Sequence, residues 1–269
     1  MATTAPRKSA MSELLNTSPL GVVRRFEAAG FRAWPAASVH YDRTWIIRLT
    51  AGHPAKRLNS VNPLDPGDIL DIDGRIERAA RRFEAYGRPL VFRMSPLAGE
   101  GLTKRFDDDK WDRFSESLVM MMPLSAPAVD EVVPLIPLKD VGRYISATIR
   151  THEREASVRP GLTELVDSIE AEAGLFAVDA GGEAVASALC VHDGQLAGLF
   201  EIATLAAERG KGHGRRIVLS AMRWARARGA RIAWLQVEAD NEAAIALYRS
   251  LGFVEAYRYH YRCPPGGEN

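Results

Sequence analysis

An apolar strand running into a glycine loop and then into a helix constrains this chain more than any other feature. Leu196 to Leu205 is strand-like, and Arg209-Gly-Lys-Gly-His-Gly-Arg215 follows, with Gly210, Gly212 and Gly214 spaced by two. A helix is expected from about Gly212 to Arg228. Its apolar residues Ile217, Val218, Ala221, Met222 and Ala225 recur at helical spacing, and Gly229 stands where helices commonly end. Side chains are missing where an anion would approach, and a helix N-terminus adds partial positive charge to the backbone N–H groups of Gly210 to Arg215. From Arg209 to Arg231 there are eight basic residues and no acid, which suits a phosphate-rich ligand. The loop is not a P-loop, because Arg215-Arg216 stand where Lys and Ser or Thr are required. It also lacks the G-x-G-x-x-G spacing of a dinucleotide fingerprint.

The segments around the loop order themselves into a mixed α/β fold. Gly174–Asp179, Ala184–Val191 and Leu196–Leu205 read as three strands joined by the turns Ala180–Glu183 and His192–Gln195. Ile232–Val237 reads as a buried strand, Asn241–Leu251 as a helix closed by Gly252, and Phe253–Arg262 as a last strand. The N-terminal half repeats a related order: a helix over Pro19–Gly30, strands over Thr44–Thr50 and Arg57–Leu64, a helix over Asp73–Tyr86, a strand over Leu90–Met94, a short helix over Asp107–Phe114 and a strand over Leu118–Met122. That order suggests a diverged duplication. Pro123 to Asp130 holds two prolines and no period and reads as a linker, and the charge balance changes sign there. The expected division is a disordered tail over 1–11, a domain over 12–124, a linker over 125–130 and a second domain over 131–265.

Composition excludes several classes. With 35 basic and 34 acidic residues the net charge is +1, which gives no argument for nucleic acid or an anionic membrane as partner. Two cysteines in 269 residues build neither a disulfide framework nor a Cys-rich zinc site, and a reducing, cytoplasmic compartment is expected. No two histidines have metal-ligand spacing, so no metal is expected. No apolar run approaches the length of a membrane span, and no secretory h-region follows Arg7 and Lys8.

Arg209-x-x-Gly212-x-Gly214 at a helix start resembles the acetyl-CoA signature of the GNAT N-acetyltransferases. Downstream, Trp234-Leu-Gln-Val-Glu-Ala-Asp-Asn241-Glu-Ala-Ala-Ile-Ala-Leu-Tyr248-Arg-Ser-Leu-Gly252-Phe253 is similar to the second half of the same fold, and looks closest to the ribosomal-protein alanine acetyltransferase branch. The resemblance covers about 131 to 262, with its specific part at 200 to 254. The N-terminal half, with Arg57-Leu-Asn-Ser-Val-Asn-Pro-Leu64, looks like the degenerate first half of tandem GNAT proteins. Its equivalent turn, Asp65-Pro-Gly-Asp-Ile-Leu-Asp-Ile-Asp73, has no R-x-x-G-x-G and carries acids that would repel a pyrophosphate. Two GNAT-like domains with one cofactor site, in the C-terminal half, are therefore expected.

The resemblance implies acetyl-CoA as co-substrate and direct attack by an amine, so that no protein nucleophile is needed. No G-x-S-x-G is present. It implies that Ile202, Ala203 and Thr204 offer backbone groups to the pantetheine and thioester. Arg209, Gly210, Lys211, Gly212, His213, Gly214 and Arg215 hold the pyrophosphate, Asn241 meets the pantetheine arm, and Tyr248 protonates the departing thiolate. At the branch's glutamate position stands Gln236, which does not accept a proton near neutral pH. Glu238, on the same strand face, and Glu201, beside the thioester-binding backbone, are the candidate bases. The loss of that glutamate motivates an alternative, a non-catalytic acyl-CoA-binding sensor or scaffold. The acceptor is an amine, a small molecule or a protein N-terminus. The first half is expected to cover the acceptor side, with Trp45–Arg48 or Arg57–Asn59 lining the pocket and residues 126–269 sufficient for the cofactor.

Overall fold

The computed structural model describes residues 18–130 and 133–267, so the expected tail over 1–11 lies outside the described residues. Among the described residues ten strands form one sheet: β1 (Ser38–Asp42), β2 (Trp45–Leu49), β3 (Ser60–Pro63), β4 (Phe92–Met94), β5 (Asp112–Pro123), β6 (Glu172–Ala180), β7 (Glu183–Asp193), β8 (Leu196–Thr204), β9 (Ile232–Glu238) and β10 (Val254–Cys263). Their spatial order is β1-β2-β3-β4-β10-β5-β9-β8-β7-β6. The helices are α1 (Pro19–Ala33), α2 (Ile72–Ala85), α3 (Gly99–Asp108), α4 (Val141–Thr151), α5 (Arg159–Asp167), α6 (His213–Ala227) and α7 (Glu242–Leu251).

The order interleaves the two halves of the chain. β5 pairs antiparallel with β9, Val119 opposite Gln236, and on its other edge with β10, Leu118 opposite Arg258. β10, the last strand, pairs with β4, His260 opposite Met94. A strand from before residue 125 thus lies between two strands from after it, and the reverse holds for β10. The stretch read as a linker is packed: Leu124 N donates to Arg231 O at 2.8 Å, and Val129, in a 3-10 turn over Pro127–Asp130, is fully buried.

Three cores hold the sheet. On one face α6 and α7 bury Ile217, Val218, Met222 and Ile245 against Leu199, Leu235 and Val237. On the other face α1, α4 and α5 cover the middle of the sheet. Helix α1 starts at Ser18, whose hydroxyl accepts from Gly21 N, with Pro19 in the first turn. Its Phe26 lies 5.7 Å from the Trp234 ring, and the adjoining Trp34 stacks on Phe200 at 5.5 Å. The third core packs α2 and α3 on β2 to β4, where Phe92 meets Trp45, Phe106 and Trp111 edge-on. Truncating such a buried ring costs about 3–5 kcal/mol.

Several expected boundaries shift. The short helix expected over Asp107–Phe114 is not formed. Helix α3 ends at Asp108, Lys110 turns the chain at φ +57, and Asp112 opens β5. Arg57–Leu64 is a 3-10 turn over Lys56–Leu58 followed by β3. Strand β1 and helices α3, α4 and α5 have no counterpart among the elements expected from the sequence.

Candidate active site

Strands β8 and β9 run parallel and pair from Leu196–Ile232 to Leu199–Leu235. Past that pair the ladder stops, although β8 continues to Thr204 and β9 to Glu238. Each keeps its outer neighbour, β7 for β8 and β5 for β9. The two strands therefore open as a wedge, and the edge of Ile202, Ala203 and Thr204 facing β9 has no strand partner.

A β-bulge sits at the mouth of the wedge. The pairing of β8 with β7 jumps from Phe200–Leu189 to Ala203–Ser187, and Glu201 takes the left-handed conformation at φ +48. The extra residue brings two successive side chains toward the α1–α4 side. Phe200 packs in the core under α1, and Glu201 meets Arg154 Nη1 at 2.5 Å and His152 Nε2 at 3.5 Å, just beyond the end of α4. Ile202 then packs toward α6 and α7. Burial pushes the Glu201 carboxyl up, but His152, Arg154 and Arg57 outweigh it and hold it below its ordinary value. Burial, with help from Arg154, lowers His152.

The glycine loop closes the other mouth. Gly210 and Gly212 have φ of +77 and +84, and a Cβ on either would meet nothing within 4 Å. Gly212 caps α6, leaving the first N–H groups of the helix on an open face. Gly214 serves a different end: its Cβ would lie 3.3 Å from Leu247 Cδ2 and 3.5 Å from Thr204 Oγ1, so its bareness sets how closely α6 approaches α7 and β8. Lys211 Nζ lies 2.9 Å from Glu208, and His213 Nε2 3.4 Å from the same carboxylate. The basic run divides. Arg226 pairs with Asp130, and Arg228 pairs with Glu172 at 2.5 Å while lying over Trp224. These serve the far end of α6, and Arg209, Arg215 and Arg216 stand at the loop end.

Asn241 caps α7, its Oδ1 accepting from Ala244 N at 3.1 Å, which leaves its amide nitrogen for another partner. Tyr248 is buried beside Phe253, and burial pushes its hydroxyl up to about 12. Gln236 Oε1 accepts from Tyr259 O–H at 2.9 Å. Glu238 is exposed in register with Ser117 at the end of β9, and no hydrogen bond or ion pair joins it to the Glu201 cluster.

Beside the wedge lies a cavity between the halves. Phe200 and Gln236 form its wall on the β8–β9 side, Trp34 and Phe31 line it from the α1 side, and Arg48, Arg57 and Asn62 come from the first half. Two more of its residues pair with each other: Arg93 bridges Glu27, which also accepts from Tyr257 O–H at 2.6 Å. Arg93 lies over the Tyr259 ring at 3.6 Å. Arg48 is 3% exposed and, among the described residues, donates only to the carbonyls of Trp34 and Arg57. The Arg57 guanidinium lies 5.5 Å from the Trp34 ring and 6.0 Å from Phe200 and has no hydrogen bond or ion pair among the described residues. Trp34 Nε1 and Asn62 Oδ1 are buried without partners. Of these residues the sequence pointed to Arg48 and Arg57 only as members of short segments. Trp34, His152 and Arg154 carried no signal.

The acidic turn over 65–73, where the sequence placed no cofactor, is filled by its own side chains. Asp68 accepts from Thr44 and Arg43 and lies 3.2 Å from the fully buried Arg75, which in turn lies over Trp45. Burial raises the Asp68 carboxyl, yet these donors bring it down to about 2.

Residues 21–262 match the family model described as "Probable histone acetyltransferase Rv0428c C-terminal". The chain is 25% identical over 256 residues to an uncharacterized N-acetyltransferase, YobR, of Bacillus subtilis (strain 168), covering 89% of this chain and 98% of that protein. It resembles a GCN5-related N-acetyltransferase from Kribbella flavida with a TM-score of 0.70 at 19% identity, covering 91% and 96% of the two chains. A tandem GNAT protein from the clavulanic acid biosynthesis pathway superposes with a TM-score of 0.60 at 14% identity, covering 88% and 86%.

Proposed function

The chain belongs to this acetyltransferase family and is an acyltransferase with a GNAT-like mixed α/β fold, and on that premise we propose that it moves an acetyl group from acetyl-CoA to a primary amine by direct attack. The observation that carries the reading is the wedge. Past Leu199–Leu235 the two strands offer a free backbone edge between an open glycine loop and a buried carboxylate.

The residues fit the co-substrate. The face around Gly210 and Gly212 is open, with no atom within 4 Å of where a Cβ would stand, which leaves room for phosphate against the N-terminus of α6. Gly210 to Arg215, with Arg209, would hold the pyrophosphate, the free edge of Ile202 to Thr204 the pantetheine and the thioester carbonyl, and the Asn241 amide the arm. Bound acetyl-CoA supplies an activated acyl group. The chain's own residues position it, polarise it and move protons. Tyr248, protonated throughout the physiological range, is suited to protonate the leaving thiolate. Glu201, which Arg154 holds ionised and below its ordinary value, would draw in the acceptor's ammonium by charge and pass its proton on through water, and Glu238, exposed at the end of β9, is the second candidate base. Cys190 and Cys263 are buried and form no disulfide, and burial raises the Cys190 thiol, which fits a mechanism without a protein nucleophile and a reducing cytoplasmic setting.

We read the halves over 12–124 and 131–265 as a tandem pair that has exchanged β5 and β10. The first half has no cofactor loop because Asp68 and Arg75 fill that place. The second half keeps the likeness to the ribosomal-protein alanine acetyltransferase branch in its loop and in Asn241 to Phe253, and departs from it at Gln236. Thermal shift with coenzyme A, ATP and NAD tests the cofactor: only coenzyme A should raise Tm. Thiol release from acetyl-CoA with an amine panel then separates an enzyme from a sensor, because a sensor binds coenzyme A and releases nothing.

A further inference from the structure

The cavity between the halves has an unbalanced charge. Two of its cations are matched within the protein or beside it: Arg93 by Glu27, and Arg154, next to the cavity wall, by Glu201. Arg48 and Arg57 make no ion pair among the described residues, although Arg57 contributes to holding Glu201 ionised and Glu27 acts on Arg48 from beside Arg93. Arg48 is 3% exposed and is given only backbone carbonyls, and no described carboxylate pairs with Arg57. Burial, with Arg93 beside it, brings the Arg48 guanidinium down to about 9, which leaves it a cation at neutral pH, and Arg57 is half-buried at the cavity's edge. A buried charge without an ion-pair partner is costly, and Arg48 is such a charge, so an anion entering the cavity would offset that cost. Trp34, which lines the same cavity, adds a buried indole N–H with no acceptor. Both guanidinium groups sit on aromatic rings, Arg48 over Phe31 at 4.8 Å and Arg57 over Trp34 at 5.5 Å, which holds them in place without neutralising them.

The cavity touches the wedge at Phe200, the residue before Glu201, and at Gln236. The cavity measures about 20 Å³, room for an anionic group and not for a whole acceptor, so an acceptor whose body lies in the wedge would reach its anion in among the arginines and keep its amine outside the cavity, on the Glu201 side. Resting on the acetyltransferase reading above, we propose that the acceptor is a small amine carrying a carboxylate or similar anion, of the amino-acid class, with the anion held by Arg48 and Arg57. A lysine-rich polypeptide, the acceptor suggested by the family's printed description, meets the wrong sign of charge in this cavity.

The test compares free L-amino acids with their carboxamides, spermidine and a lysine-rich peptide in thiol release from acetyl-CoA, using the full chain. At least one amino acid should exceed its own carboxamide about 10- to 100-fold in kcat/KM, the range of one charged hydrogen bond. Arg57→Gln should bring that ratio toward one, and Arg57→Lys should restore part of it. Melting curves check that both variants fold. Turnover of the carboxamides, spermidine or the peptide at or above the level of the amino acids overturns the proposal and leaves the acetyltransferase reading standing. If nothing in the panel is acetylated, N-acetyl amino acids should still raise the Tm of the wild type and not of Arg57→Gln, and no rise overturns the proposal. Absence of any Tm response to coenzyme A overturns the reading beneath it instead.

Discussion

Glu201 and Arg154 meet at 2.5 Å across the bulge of β8, with 6% of the glutamate side chain and 29% of the arginine exposed. The glutamate faces that partner because the bulge gives β8 one residue more than β7 and places Glu201 at φ +48. Without the bulge, alternation along the strand would place it toward α6, on the opposite face of the sheet. The relationship ties a backbone irregularity at the mouth of the wedge to the charge beside it.

Arg154→Ala should destabilise the protein at pH 7 by about 2–3 kcal/mol, below the value for a fully enclosed pair because the arginine is partly exposed. The sign with pH follows from Glu201. Its folded value lies below its ordinary one, so its contribution is complete above the ordinary carboxylate value and is lost as pH falls through the folded value. The difference between wild type and variant should therefore shrink on acidification. Urea unfolding at a series of pH values reads it, and a difference that grows toward low pH contradicts the assignment.

Gly212 and Gly214 should separate binding from packing. Gly212→Asp has open space around it and pays about 1 kcal/mol for a left-handed side chain, while placing a carboxylate where phosphate would sit. Calorimetry should show coenzyme A binding lost with Tm lowered only slightly. Gly214→Ala presses on Leu247 and Thr204 instead, so it should lower Tm more than Gly212→Asp does. Unchanged affinity in Gly212→Asp would remove the loop from the phosphate site.

Tyr248→Phe should lower kcat on the order of 10- to 100-fold with little change in the acetyl-CoA KM, because a proton given to the leaving group acts mainly in the transition state. With the hydroxyl pushed up to about 12, the wild-type pH profile should show no alkaline fall from this group below pH 10. A change in KM alone would make Tyr248 a binding residue.

These variants rest on residues that differ in how visible they were in the sequence. Gly210, Gly212, Asn241 and Tyr248 were legible because strand, loop and helix are set by local periods, and their places follow from chain order. The segment β8–α6–β9–α7 accordingly matches its expected bounds within a residue or two. The Glu201 bulge was not legible, since it exists only in the pairing of β8 with β7. Nor was the cavity: Trp34 reaches Phe200 across 166 positions of sequence because α1 packs on strands that come from the second half of the chain. Helix α4, which ends just before His152 and Arg154, has an apolar face of Tyr144, Ile145, Ala147 and Thr148, a helical pattern that was open to reading. The interleaving of β5 and β10 had no local signal, because Pro123 to Asp130 has the composition of a linker whether or not it is packed.

That interleaving changes what a truncation should do. Residues 126–269 were expected to carry the cofactor site alone, yet this fragment lacks β5, which pairs with both β9 and β10. Its loss leaves two strands with open edges and uncovers Leu235 and Val237. The fragment also lacks α1, so Trp234 and Phe200 lose Phe26 and Trp34. Each lost aromatic contact with its burial is worth about 3–5 kcal/mol, and two of them approach the whole stability of an ordinary domain. The fragment should therefore be unfolded or aggregated by circular dichroism and should not bind coenzyme A. Co-expression with residues 1–125 should restore both the fold and the binding, because the missing strand and helix return on a second chain. A soluble 126–269 fragment that binds coenzyme A as tightly as the full chain would show that the second half folds without β5.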